Sequence, residues 1–153
     1  MYVAIVLLTM LILPAASLAI EHALRPELAL IGLLGRWFVF WGMGVRLSLA
    51  GARQLLQPAF TAREIFHMTG DEALVIVQEL GVANIAAGVV ALVSLFMPTF
   101  VVPTAIYGVI FYGVAGVRHI GSRDRSRNET VALASDLFIA LVFAVFLAAN
   151  LGR

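Results

Sequence analysis

Five apolar stretches, each close to the length of a bilayer-crossing helix, are interrupted by residues that neither hydrocarbon nor a protein interior holds without compensation. Arg46, Arg53, Glu79, Asn84 and Asp136 all fall inside these stretches. A charge or an amide withdrawn from water has to be paired, hydrated or used. Any fold of this chain must therefore turn those side chains toward one another or toward a cavity, and a function is to be sought where they meet.

A hydrophobic fraction of 62% against 12% charged residues places the chain with integral membrane proteins, since soluble domains carry roughly twice that share of charge. Taking ~20 apolar residues per crossing, the first span runs from about Tyr2 to Ile20. It has no basic n-region and reads as a retained helix in preference to a cleaved signal. Between Pro26 and Pro58 a short interfacial stretch through Gly32 and Gly35 is expected to precede a second span from Arg36 to Gln57. The third runs from Ala73 to Met97, the fourth from Val101 or Pro103 to His119, and the fifth from Thr130 to Asn150. Asn128 is a candidate N-cap for the last, and Ser126 with Glu129 a candidate capping box.

The expected class is an all-α integral membrane protein forming a single domain over 1–153. It has five transmembrane helices, an N-terminal span (1–20) and a four-helix bundle (36–150), plus a short cytoplasmic interfacial helix at 61–69. Thr61 and Glu64 could cap that short helix, and Gly70 could close it in a left-handed conformation. Arg118, Arg123, Arg125 and Arg127 form the densest basic cluster. With Arg63 they put that side in the cytoplasm, the N-terminus inside and the C-terminus outside, in a bacterial inner membrane. Trp37, Phe38, Phe40 and Trp41 read as an aromatic belt at the outer face.

Several chemistries are excluded. With no Cys there are no disulfides, thiolate metal sites or cysteine nucleophiles, and with no Lys there is no Schiff base. A net charge of +1 offers no basic face for nucleic acid. His67, His119, Glu79 and Asp136 lack the spacing of a known ligand motif, so neither metal nor haem is expected.

Helical spacing sorts the polar residues. Gly42, Arg46, Ala50, Arg53 and Gln57 share one face of the second helix, with a small-residue stripe of Gly44, Ser48 and Gly51 nearly opposite. In the fourth helix Ala105, Gly108, Tyr112, Gly116 and His119 share a face. In the third, Gly81, Asn84 and Gly88 do so, with Glu79 on the other side, which suggests a central helix contacted from both sides. Arg46, Arg53, Glu79, Asn84, Tyr112, His119 and Asp136 all fall in the inner half of the membrane, as candidate ligand-binding residues. They would floor a pocket for a quinone or another prenyl-like lipid, whose head needs hydrogen bonds and whose tail needs none. Two other readings use the same residues. In a proton-coupled carrier, Glu79 and Asp136 would carry charge. In a scaffold, ion pairs such as Arg46 with Glu79 and Arg53 with Asp136 would only set helix register. Partners beyond membrane lipids are open, a redox subunit or a second copy packed on the small-residue stripes among them.

From about Arg46 onward the chain resembles the DoxX-like group of small bacterial membrane proteins, over about two-thirds of its length. The resemblance is carried by Ala50-Gly51 with Gln54, Pro58-Ala59-Phe60, Glu79-Leu80-Gly81 with Gly88, the glycine-rich fourth span and a plain final helix. The chain looks like an offshoot with an extra N-terminal span, a longer loop at Thr61 to Asp71, and Gln54 where the group often has Lys. The resemblance implies a four-helix membrane bundle and supports Glu79 as a site residue. In the namesake such a bundle is a subunit of a quinone-reducing sulfur oxidoreductase. No redox centre is visible in this sequence, so a similar activity would draw on a bound quinone or a partner subunit.

Overall fold

The computed structural model describes residues 2–121 and 126–151; Arg123 and Arg125 of the basic cluster lie outside them. Five helices are long and apolar enough to cross a membrane. They are α1 (Tyr2–Leu24), α2 (Leu30–Leu56), α4 (Glu72–Val93), α5 (Val101–Ile120, entered through a 3-10 turn at Pro98–Phe100) and α6 (Arg127–Leu151). A short α3 occupies 58–65. The all-helical, five-span class expected from the sequence is the one observed.

Proline sets most of the breaks. A residue before proline is pushed out of the α region, and Arg25 (φ −139, ψ 71), Gln57 (φ −139, ψ 58) and Met97 (φ −124, ψ 85) each precede one and each lie between helical segments. Pro103 sits in the first turn of α5, where no N–H is needed. Pro14 is the exception, inside α1. The turn before it, Leu8–Ile12, widens to π geometry, which relieves the clash between a proline ring and the carbonyl four residues back.

Three boundaries differ from expectation. Gly32 and Gly35 do not form a separate interfacial stretch; they lie in the first turns of a continuous 27-residue α2, and Gly35 leaves room for the Phe146 ring of α6. The short helix starts at Pro58, and Thr61 makes no side-chain cap. His67, at φ 54, supplies the left-handed turn expected of Gly70, which lets the Met68 N–H reach back to the Ala62 carbonyl at 2.8 Å. At α6 the capping box forms. Ser126 is the N-cap, its hydroxyl accepting the Glu129 N–H at 3.2 Å, while Asn128 lies inside the helix.

The extra N-terminal helix is built into the molecule. Glu21 accepts hydrogen bonds from Arg36 at 2.8 Å and from the Trp37 indole at 2.7 Å, and the Trp41 indole donates to Ser17 at 3.0 Å. Two members of the expected aromatic belt thus tether α1 to α2, and Phe38 is core. Val6 and Met10 of α1 join Met43, Ile139, Phe143 and Phe146 in one buried cluster.

The small-residue stripe of α2 packs on α4, as its spacing indicated. A Cβ added at Gly51 would stand 2.5 Å from the Gly81 carbonyl oxygen, and one at Gly88 would meet Ser48. α4 buries only the stripe Ala73, Val77, Gly81, Asn84, Gly88 and Ala91. Its opposite face, with Val75, Ile76, Val82 and Val89, is open, so the third span is peripheral and not central.

Candidate functional site

Six of the seven polar residues singled out by spacing line a single cavity of about 190 Å³ at the end of the molecule that holds the N-terminus of α1. Arg46 and Arg53 come from α2, Asn84 from α4, Tyr112 and His119 from α5, and Asp136 from α6. Tyr2 and Ile5 of α1, Gln54 of α2, and Phe60, Thr61, Ile65 and Phe66 of α3 and the residue after it complete the wall. All five spans and the short helix therefore contribute.

Glu79 is not among the lining residues. It lies 200° around α4 from buried Val77 and again from Gly81, and its side chain is exposed on the outward face. The expected Arg46–Glu79 pair does not exist, because α4 offers only its small-residue stripe to the bundle. Arg53 and Asp136 do not pair either. The Arg53 guanidinium lies 3.6 Å from the centre of the Phe60 ring, a cation–π contact that attaches α3 to α2. Arg46 stands 5.6 Å from the Tyr2 ring. Among the described residues, neither arginine has a carboxylate within 4.0 Å.

The position of Tyr112 follows from a local irregularity of α2. At Val39–Val45 the helix widens to π geometry, and the Arg46 N–H is shared between the Met43 and Trp41 carbonyls, passing over Gly42. The Gly42 carbonyl that an α-helix would have used is released inside the bundle, where an unpaired acceptor is costly. The hydroxyl of buried Tyr112 donates to it at 2.7 Å. This fixes the phenol against the cavity wall with its hydrogen already committed.

The amide of Asn84, 3% exposed, donates from Nδ2 to Gln54 Oε1 at 2.8 Å across the α2–α4 seam. Its Oδ1 has no partner, and neither does the buried Nε of Arg46. Both residues, with Asp136, are among those that line the cavity.

Below the cavity Glu129 joins three elements. Its Oε2 lies 3.2 Å from His67 Nε2 and its Oε1 3.5 Å from His119 Nδ1, while its carboxylate also closes the capping box with the Ser126 N–H at 3.4 Å. At 4% exposure it is the most deeply held carboxylate among the described residues. Sequence reasoning gave Glu129 only the capping role, because a contact with His67, 62 residues away, leaves no mark in local spacing. No set of three or more His, Cys, Asp or Glu side chains arranged to hold a metal ion occurs among the described residues.

No curated protein and no solved structure matches the chain. Residues 1–151 match the model of a family of unknown function (DUF6790), and the chain belongs to that family.

Proposed function

We propose that this DUF6790 member is a multi-pass inner-membrane protein that binds an apolar molecule with a single-ring polar head, a quinone or another prenyl-like lipid, in the cavity floored by Arg46, Asn84, Tyr112 and Asp136. One observation carries the reading: polar side chains from α2, α4, α5 and α6 line one space together with a larger apolar set that includes Ile5, Leu47, Phe60, Ile65, Leu80 and Phe111. An engineered cavity of roughly 150 Å³ holds a benzene molecule. About 190 Å³ suits one substituted ring and leaves a long tail to run out between helices.

The DoxX-like resemblance points the same way, toward a membrane bundle that handles quinone and draws any redox centre from a partner subunit. The cytoplasmic placement of the cavity end rests on Arg63, Arg118 and Arg127. The carrier reading loses one of its two acids now that Glu79 lies outside the cavity. The scaffold reading is left without its ion pairs, with the Asn84–Gln54 amide bond as the buried polar link.

Native mass spectrometry of protein released from mild detergent, with solvent extraction of the retained small molecule, tests the proposal. The wild type and a Glu79→Gln variant should both carry a stoichiometric prenyl lipid, and a folded Asp136→Asn or Arg46→Gln variant should lose it. Protein that is bare in every detergent in which it stays folded would refute the reading.

A further inference from the structure

The segment from Pro58 to His67 touches four of the five spans at the cavity end of the molecule. Phe60 lies against the Arg53 guanidinium of α2, 3.6 Å from the ring centre, and against the Tyr2 ring of α1, with centroids 6.3 Å apart. Ala62 is fully buried and packs with Ala73 and Val77 of α4. His67 Nε2 lies 3.2 Å from Glu129 Oε2 of α6. Between these attachments Phe60, Thr61 and Ile65 line the cavity. A segment fastened to the surrounding spans at the end of a bundle, with its inner side on the cavity, is a cover.

The attachments differ in kind. Phe60 and Ala62 hold by packing, whereas the His67 side chain is 53% exposed where it meets a carboxylate that is 5% exposed. Water competes for an imidazole in that position, and such a tie is weak. The His67 backbone is also turned to φ 54, a left-handed conformation that a residue with a Cβ adopts at a cost. Strain observed at one residue is a reason to look for a role there. Non-helical backbone at Gln57 and in the 66–71 loop flanks the segment and supplies places where it can turn.

We infer that 58–67 is a strap closing the cavity toward water, with Ala62 on α4 as its pivot and the His67–Glu129 contact as its latch. Release of His67 then opens the cavity beside the first turns of α6. The inference concerns access alone and holds for any occupant, so its failure and the failure of the lipid-head reading are separate.

Because the chain has no cysteine, one placed on the cavity wall reports access. Ala132 is 7% exposed, lines the cavity and lies one turn beyond Glu129 on α6. The experiment follows the reaction of Ala132→Cys with membrane-impermeant 2-sulfonatoethyl methanethiosulfonate. Full-length protein in phosphatidylcholine nanodiscs leaves both water-facing ends reachable and covers the sides with lipid. Reaction should be slower than at Thr69→Cys, an exposed loop position. Adding His67→Gly keeps the left-handed backbone and removes the imidazole. It should speed the reaction by roughly 2- to 12-fold, the factor that one net hydrogen bond supplies. His67 is not among the lining residues, so a wider cavity cannot account for the gain. The fluorescence of Trp37 and Trp41, held by Glu21 and Ser17, should stay unchanged and so verify the fold. An unchanged rate in His67→Gly, or Ala132→Cys reacting as fast as Thr69→Cys, would overturn the inference. An equal gain from Ser126→Ala, which removes the cap and keeps Glu129, would trace the access to fraying of α6 and overturn it too. Should His67→Gly fail to fold, His67→Asn gives the same comparison, since Asn tolerates the left-handed conformation with a shorter side chain.

Discussion

Tyr112 shows how much of this molecule turns on single polar atoms. Its ring is buried, and its hydroxyl is the partner of the carbonyl that the wide turn of α2 sets free. Tyr112→Phe keeps the ring and removes that partner, so the protein should lose about 1–3 kcal/mol. Unfolding in detergent, followed against the wild type, measures it; an unchanged midpoint would mean that the Gly42 carbonyl finds another donor. At this scale the sequence was informative wherever a polar residue broke an apolar helical face. Arg46, Arg53, Asn84, Tyr112, His119 and Asp136 meet as spacing suggested. Spacing failed for Glu79, because the phase of a residue on its helix says nothing about which faces of that helix acquire neighbours. It also missed Tyr2, Gln54 and Glu129. Tyr2 lies in the extra N-terminal span, Gln54 entered only as a residue of the DoxX-like resemblance, and Glu129 had a sufficient local explanation.

Among elements, the α2–α4 seam brings backbone against backbone, and glycine permits it. Gly51→Ala would drive a methyl group against the Gly81 carbonyl, a backbone atom that cannot swing aside. Overpacking of this kind costs typically 1–3 kcal/mol and would spread the two helices that carry Gln54 and Asn84. Gly32→Ala, in the same helix, meets nothing within 4 Å and should be neutral or stabilising by about 0.4–1 kcal/mol. Thermal unfolding of the pair tests the packing argument, and equal destabilisation would contradict it. At the start of α6, Ser126→Ala should cost about 0.5–2 kcal/mol through the lost cap. Because it leaves the Glu129 carboxylate in place for His67 and His119, it separates helix capping from the histidine contacts. The stripes behind these contacts were legible in advance, since small residues at three- and four-residue steps have few other uses in a membrane helix. The unbroken α2 was not, because its length exceeds one untilted crossing and the glycines near its start invited a break.

At the scale of the whole molecule, the two ends are built from different segments. Around the cavity end lie α3, the 66–71 loop, the end of α5 and the start of α6; the other end holds the Arg25–Ala29 and Ser94–Phe100 turns. The proposed positive-inside orientation predicts that the first set faces the cytoplasm. A chain without cysteine makes the check direct. Thr69→Cys and Thr99→Cys, both at exposed positions, should react with an impermeant maleimide from opposite sides of sealed vesicles, Thr69→Cys from the cytoplasmic side. Labelling of both from one side would invalidate the topology, and labelling with the sides exchanged would invert it.

The wide turn at Val39–Val45 can also be counted as an inserted residue. A π turn spends one residue more than an α turn, and each residue of an α-helix advances the chain by about 100° and 1.5 Å. Everything from Arg46 to Leu56 is therefore indexed by that single extra residue relative to the half of α2 that is tied to Glu21. Deleting Phe40 would let the helix close into regular α geometry. It would then turn Arg46 and Arg53 by about a quarter of a revolution away from Asn84, Tyr112 and Asp136 while leaving every one of those side chains in the sequence. The cavity is in this sense a matter of phase: the residues that line it are common ones, and one unit of chain length keeps them in register.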